Sequence, residues 1–263
     1  FLDARGFGEA LASVMKRTLA ACGDRAGTVW VCVPGEFTRI VNTDNVLSFQ
    51  GTRKVKRADI VSFERSSLPE AGKGWELVRS GCLYYVLSDM RRIVDPVGML
   101  TDSLRGRLCH YLCSSSFCEC VRNALSQFRS VSAVNFIPAV HAEAMYLIPP
   151  ERRDEYAVLL DLGFISSSYS VACGNGVVYS ESFSLGTGHI AVYLMESLGV
   201  PYQVALELLE KVNLNSKDSP GTGLEEQFEG KFYRFTASEV KEKVREALDG
   251  ICETIEECRR NFT

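Results

Sequence analysis

Apolar positions along the chain fall into two rhythms, one helical and one alternating, and together they predict a mixed α/β protein. Between Phe7 and Ala21, Leu11, Val14, Met15 and Leu19 share one helical face, and Cys22-Gly23 closes the helix. Thr28 to Val33 reads as a buried strand stopped by Pro34-Gly35, with a short strand from Phe37 to Val41 after it. The basic run Arg53 to Arg57 reads as a solvated loop, and Asp59 opens a helix that lasts through Ser66. Strands are expected over Trp75 to Leu87 and Arg105 to Leu112, with the turn Asp95-Pro96-Val97-Gly98-Met99 between them. A helix from Ser115 to Phe128, carrying Cys118, Val121, Leu125 and Phe128 on one side, leads into a strand over Val131 to Ile137.

The second half repeats the exercise with different punctuation. Pro138 starts a short helix through Tyr146, and Pro149 to Glu155 forms a charged connection. Ala157 to Leu160, Ser167 to Cys173 and Gly176 to Phe183 read as successive strands, the last two joined by the turn Gly174-Asn175-Gly176. After Leu185 to His189, residues Ile190, Leu194 and Leu198 restore the helical period, and a further helix runs from Pro201 through Val212. Asn213 to Gly230 has no apolar period and reads as a long exposed loop. Phe232 to Phe235 is ordered again. Thr236 and Glu239 form a capping box for a helix from Val240 to about Arg259.

Composition narrows the class. With 46% hydrophobic residues and 263 positions the chain can bury substantial cores, and a net charge of −4 gives no field that would draw it to nucleic acid or anionic lipid. No apolar stretch is long enough to span a bilayer, since Asn135, His141, Glu143 and Asp161 interrupt the best ones. The ten cysteines are dispersed and no signal-peptide pattern precedes them, which points to reduced thiols in a cytosol. The group Cys109, His110, Cys113, Cys118 and Cys120 lacks the two-residue gap of a zinc knuckle, so no metal is expected.

Leu159-Leu160-Asp161-Leu162-Gly163, the meander that follows, then Leu185-Gly186-Thr187-Gly188-His189-Ile190 and a helix resemble the second half of the actin-like ATPase fold. The stretch Asp95 to Met99, with Gly35-Glu36-Phe37-Thr38 and Val55 to Ile60, resembles the FtsA family of bacterial division proteins. That resemblance covers about Phe7 to Arg259. It implies an α/β fold with an actin-like, ribonuclease H-like second half and a small inserted α+β subdomain. The implied domains are residues 1–27, a helix from the first actin-like subdomain; 28–130, the insert; and 131–263, the second half, with a partner-binding part near 200–250. Against a complete family member, the resemblance leaves the N-terminal phosphate hairpin, the adenosine-binding glycine loop and the C-terminal membrane-targeting helix unmatched in the sequence given. A pilus-assembly adaptor of the PilM type shares the fold and the insert.

The family's phosphate loop resembles D-x-G-G-G-T-T-D, in which glycines let backbone amides approach phosphate. Here the string is Asp161-Leu162-Gly163-Phe164-Ile165-Ser166-Ser167-Ser168, so bulky side chains stand at two glycine positions. The family's catalytic acid falls on Ile137, and its ribose-holding pattern on Ala205 to Leu209, where Leu206 and Leu209 replace charged groups; a slip in register would bring in Glu207 and Lys211. Losing a general base alone slows a reaction by about a hundred- to ten-thousandfold, so hydrolysis is not expected. What remains is a vestigial cofactor site at Asp161, Gly163, Ser166, Gly186 and Gly188, holding ATP and magnesium weakly if at all. The alternative for the loop is structural, with Asp161 capping a strand end and Ser166 to Ser168 facing solvent. His189 is expected to bond locally at a helix start, and His110 and His141 to be structural.

The resemblance implies the FtsZ C-terminal tail as partner. The matching surface is Lys231, Tyr233, Arg234, Phe235, Lys241 and Arg245, cations for tail carboxylates and aromatics for an anchor. The alternative is a solvated helix face with Glu239 paired to Lys243 and Glu242 to Arg245. The insert, Phe37 to Leu112, would mediate self-association into filaments and contacts with other division proteins. Membrane contact would come only through a segment outside this sequence, placing the protein at the cytoplasmic face of the inner membrane at the septum. A competent ATPase or sugar-kinase relative is the enzymatic alternative.

Overall fold

The computed structural model describes residues 3–23, 27–216 and 223–262. Two compact units emerge, Phe1–Leu159 with Ser170–Ser180, and Leu160–Tyr169 with Glu181–Thr263.

The first unit opens with helix α1 (Ala4–Ala21), whose first amides are capped by the Asp3 carboxylate, which accepts from Arg5 N at 3.2 Å and Gly6 N at 3.1 Å. Strand β1 (Thr28–Val33) pairs in parallel with β6 (Ala133–Pro138), and Met15, Leu19, Val33, Phe117, Val121 and Leu125 fuse this pair to α1 and to α3 (Ser115–Leu125) in one core. Between them lies the insert: β2 (Thr38–Lys54), α2 (Arg57–Arg65), β3 (Trp75–Leu87), β4 (Arg92–Ile93) and β5 (Leu100–Ser114). Its sheet is antiparallel in the order β2-β5-β3-β4. Helix α2 covers one face with Phe63 fully buried among Leu87, Leu104 and Leu108. Helix α4 (Ala139–Leu147) follows β6.

Two readings of the insert change. Strand β2 does not stop at Val41 but runs on to Lys54. Its polar middle is extended because each side chain finds a partner elsewhere: Asn42 Nδ2 donates to the Val178 carbonyl at 2.6 Å, Thr43 Oγ1 bonds His110 Nε2 at 2.8 Å, and Asn45 Nδ2 donates to the Phe63 carbonyl at 2.6 Å. The basic run is likewise no loop at its start. Arg53 pairs with Thr101 in the ladder, and its guanidinium grips Asp59 through two bonds of 2.8 Å, which holds that carboxyl down at about 2.

Strands β7 (Ala157–Leu162), β8 (Ser167–Cys173) and β9 (Gly176–Phe183) form a sheet in that order. In the first unit the turn at the tip of β8 and β9 presses on the insert: Asn175 N donates to the Leu83 carbonyl at 3.0 Å and Val177 N to the Tyr111 hydroxyl at 3.0 Å. Gly174 has φ of +58°, and a Cβ there would lie 2.1 Å from Leu83 O, so the close approach demands glycine.

In the second unit, α5 (Thr187–Leu198), α6 (Tyr202–Lys211), the antiparallel hairpin β10 (Gly223–Phe228) and β11 (Lys231–Thr236), and α7 (Ala237–Phe262) enclose a core of Leu194, Val204, Leu208, Val240 and Val244. Strand β10 falls within the segment read as loop; residues 217–222 of that segment lie outside the described residues. Leu224, Glu226 and Phe228 alternate inward, and the buried glutamate, which hid the period, is neutralised by Lys211. Thr236 Oγ1 accepts from Glu239 N at 3.2 Å, the capping half of the expected box. Among the described residues no helix is long and apolar enough to cross a membrane.

Candidate functional site

The loop that leaves β7 and the first turn of α5 close on one another. Thr187 N donates to the Gly163 carbonyl at 2.9 Å and Gly188 N to the Phe164 carbonyl at 2.8 Å. These are the first amides of a helix, which have no intrahelical acceptor and which elsewhere serve anions. Here they are already used. His189 completes the turn, its Nδ1 accepting from Gly186 N at 3.1 Å, and Ser167 Oγ donates to the Leu185 carbonyl at 2.6 Å.

The glycines are retained for packing. A Cβ on Gly163 would lie 2.4 Å from Ser166 O, one on Gly186 2.4 Å from Gly163 O, and one on Gly188 2.9 Å from Phe164 O and 3.1 Å from the Phe164 ring. The obstruction thus differs in kind from the one read in the sequence. The Phe164 ring leans on Gly188 while 52% exposed, Ile165 is 70% exposed, and it is loop carbonyls that occupy the helix amides. Asp161 is exposed at the end of β7. Ser167 and Ser168 are buried, not solvent-facing, because β8 begins at Ser167.

Ile137 is part-buried on β6, paired with Cys32. Lys211, the residue a register slip would recruit, is bound to Glu226, and Glu207 meets Gln203 at 3.3 Å. His110 is buried between Thr43 and Ser80, and His141 Nδ1 bonds the Tyr111 hydroxyl at 3.0 Å. Burial, with Arg79 and Arg153 nearby, pushes His141 down to about 4. Cys113, Cys118 and Cys109 are packed in apolar cores, and burial raises Cys113 to about 11.

The expected partner surface is reshaped by the alternation of β11. Tyr233 and Phe235 point into the core, so they offer no anchor; Phe232, passed over in the sequence, is 60% exposed with Arg234 above its ring at 5.9 Å. Arg234 also pairs with Glu225 across the hairpin at 2.9 Å. Lys241 is 1% exposed, and its ammonium donates to Ser216 O at 2.7 Å and Ser216 Oγ at 2.9 Å, so it holds a loop and cannot meet a partner. Arg245 reaches the Leu214 carbonyl at 3.4 Å, and Lys231 is exposed. Lys243 pairs with Glu246 at 2.8 Å, a different pairing from Glu239 with Lys243.

The first unit has a concave surface of its own, a cavity of about 370 Å³ bounded by Trp30, Leu77, Arg79 and Ile137. Trp30 is 67% exposed on β1. Arg122 forms the opposite wall, bound to Glu76 at 2.8 and 3.1 Å and lying 4.9 Å from the centre of the Phe136 ring. The sequence carried no signal for this, since Thr28 to Val33 reads as a buried strand; β1 is instead alternately exposed, and its pairing with β6 sets Trp30 in the same groove as the arginine.

No family model matches the chain, and no curated protein matches it. Among solved structures, it is similar to a PilM–PilN type IV pilus biogenesis complex at 13% identity and a TM-score of 0.57; the match covers 96% of this chain and 63% of that one. It is also similar to MreB5 of Spiroplasma citri bound to AMPPNP, at 11% identity, 56% and 48% coverage and a TM-score of 0.49. The ethanolamine utilization protein EutJ from Carboxydothermus hydrogenoformans follows at 12% identity, 55% and 44% coverage and a TM-score of 0.39. The likeness to the PilM structure gives the chain a mixed α/β, actin-like fold. It spans less than two thirds of the length of the PilM structure.

Proposed function

We propose that the chain is a non-catalytic adaptor built on an actin-like frame, which holds a segment of a partner protein and does not turn over nucleotide. One observation carries the catalytic half of this reading: the α5 amides that would cradle a phosphate donate instead to the carbonyls of Gly163 and Phe164. A phosphate would have to displace both. Isothermal titration with Mg·ATP tests this directly, with no saturable heat and no phosphate release expected. Turnover that disappears in Asp161→Ala would overturn it in favour of an ATPase or kinase.

For the partner, likeness over 96% of the chain to a PilM–PilN complex favours the PilM type of adaptor; that reading expects a membrane protein's cytoplasmic tail as the partner segment. The Trp30 groove suits such a segment, offering an exposed aromatic face beside the guanidinium of Arg122, which Glu76 holds in place. The second reading is the FtsA type, an FtsZ-binding division adaptor at the septum that self-associates into filaments. It is favoured by Asp95 to Met99 and by the exposed pair Phe232 and Arg234. Titrating the two kinds of tail peptide separates them: Trp30→Ala abolishes binding in the first case, Phe232→Ala in the second.

A further inference from the structure

The turn Asp95 to Met99 does more for the insert than reverse the chain. It is rigid, with Val97 N donating to the Asp95 carboxylate at 3.1 Å, Met99 N to the Pro96 carbonyl at 3.0 Å, and Gly98 N and Val55 N tying it to the strand end opposite at 2.9 Å each. This rigid turn forms the rim of a cavity of about 460 Å³ within the first unit, floored by β3 and walled by α2. Val61, Val94 and Val97 line it while still exposed to solvent.

Two arginines share the lining, Arg57 and Arg79, both exposed and neither in an ion pair among the described residues. Neither position is favoured by its own element. Arg57 is the first residue of α2, where the helix dipole disfavours a cation. Arg79 stands where the register of β3 against β5 slips after Leu77, and such bulges re-aim a side chain. The acidic groups nearby are engaged: Asp95 accepts within its own turn, and Glu64 is half-buried, takes the Tyr85 hydroxyl at 3.5 Å and is pushed by burial towards its neutral form. The cavity therefore offers, beside a branched apolar rim, two guanidinium groups that attract Glu64 but form no close ion pair among the described residues.

We propose that this cavity is a docking site for a partner segment that carries a carboxylate beside an aliphatic side chain. The carboxylate meets Arg57 and Arg79, and the aliphatic group settles against Val61, Val94 and Val97. The site shares Arg79 with the wall of the Trp30 groove, but Arg57, Val61, Val94 and Val97 belong to it and not to that groove, so Arg57→Ala and Trp30→Ala tell the two apart.

The test is fluorescence anisotropy at low salt with a short labelled peptide alternating aspartate and leucine, and a control with lysine for aspartate. Saturable binding of the acidic peptide alone is expected, weakened about two- to fivefold by Arg57→Ala and about tenfold by Val97→Asp. Trp30→Ala and Phe232→Ala leave it unchanged. All four positions are exposed, and a thermal melt of each variant verifies its fold. Absence of saturable binding, equal binding of the lysine peptide, or sensitivity to Trp30→Ala or Phe232→Ala with indifference to Arg57→Ala each overturns the proposal.

Discussion

Gly186→Ala probes the closure of the loop on α5. The backbone there is extended, φ −160° and ψ −171°, which alanine adopts without strain, so any cost comes from space alone. The new methyl would stand 2.4 Å from Gly163 O and 2.7 Å from both C and O of Phe164, all main-chain atoms that cannot swing aside. The loop must withdraw. That breaks the bonds from Thr187 N at 2.9 Å and Gly188 N at 2.8 Å, about 1 kcal/mol each, and residual crowding adds roughly 1–3 kcal/mol. Reduced freedom of the unfolded chain returns about 0.4–1 kcal/mol, leaving a net loss of about 3 kcal/mol. Amide exchange followed by NMR should show protection of Thr187 and Gly188 falling on the order of a hundredfold. Gly250→Ala is the control: nothing lies within 4 Å of its added methyl on α7, so it should stabilise by about 0.5–1 kcal/mol. Unchanged protection in Gly186→Ala, or equal destabilisation by both variants, would refute the closure.

Three further outcomes are expected. Lys241→Ala should lower stability by about 1–3 kcal/mol in urea unfolding without changing the slope, since it removes the two bonds to Ser216. Arg234→Glu sets a second acid opposite Glu225; if the hairpin receives an acidic tail, its affinity in a salt titration should fall severalfold and lose most of its salt dependence. His141 titrates near 6.5 when unfolded and near 4 when buried, so the unfolded chain takes up the proton first. Stability should decline as pH drops from 6.5 towards 4, and His141→Gln should flatten that slope in denaturant melts at stepped pH.

Much of the architecture was legible from periodicity, since α1, α3, α5, α6 and α7 and the strands β1, β3, β8 and β9 each carry enough apolar repeats to announce themselves. The departure from the glycines that the resemblance implies was visible too, because Phe164 and Ile165 stand at two of those positions. Strand β10 and the length of β2 were not, because their polar residues Glu226, Asn42 and Thr43 bond to groups distant in sequence. Pairing also turned Tyr233 and Phe235 inward and Phe232 outward, and it buried Lys241, whose charge in the sequence had suggested a surface. Local pattern fixes which segments become helix or strand, whereas a side chain's availability depends on what packs against it from elsewhere. That is why the sequence could show bulky residues where the resemblance expects glycine, while only the folded chain revealed helix amides bound to the loop's own carbonyls.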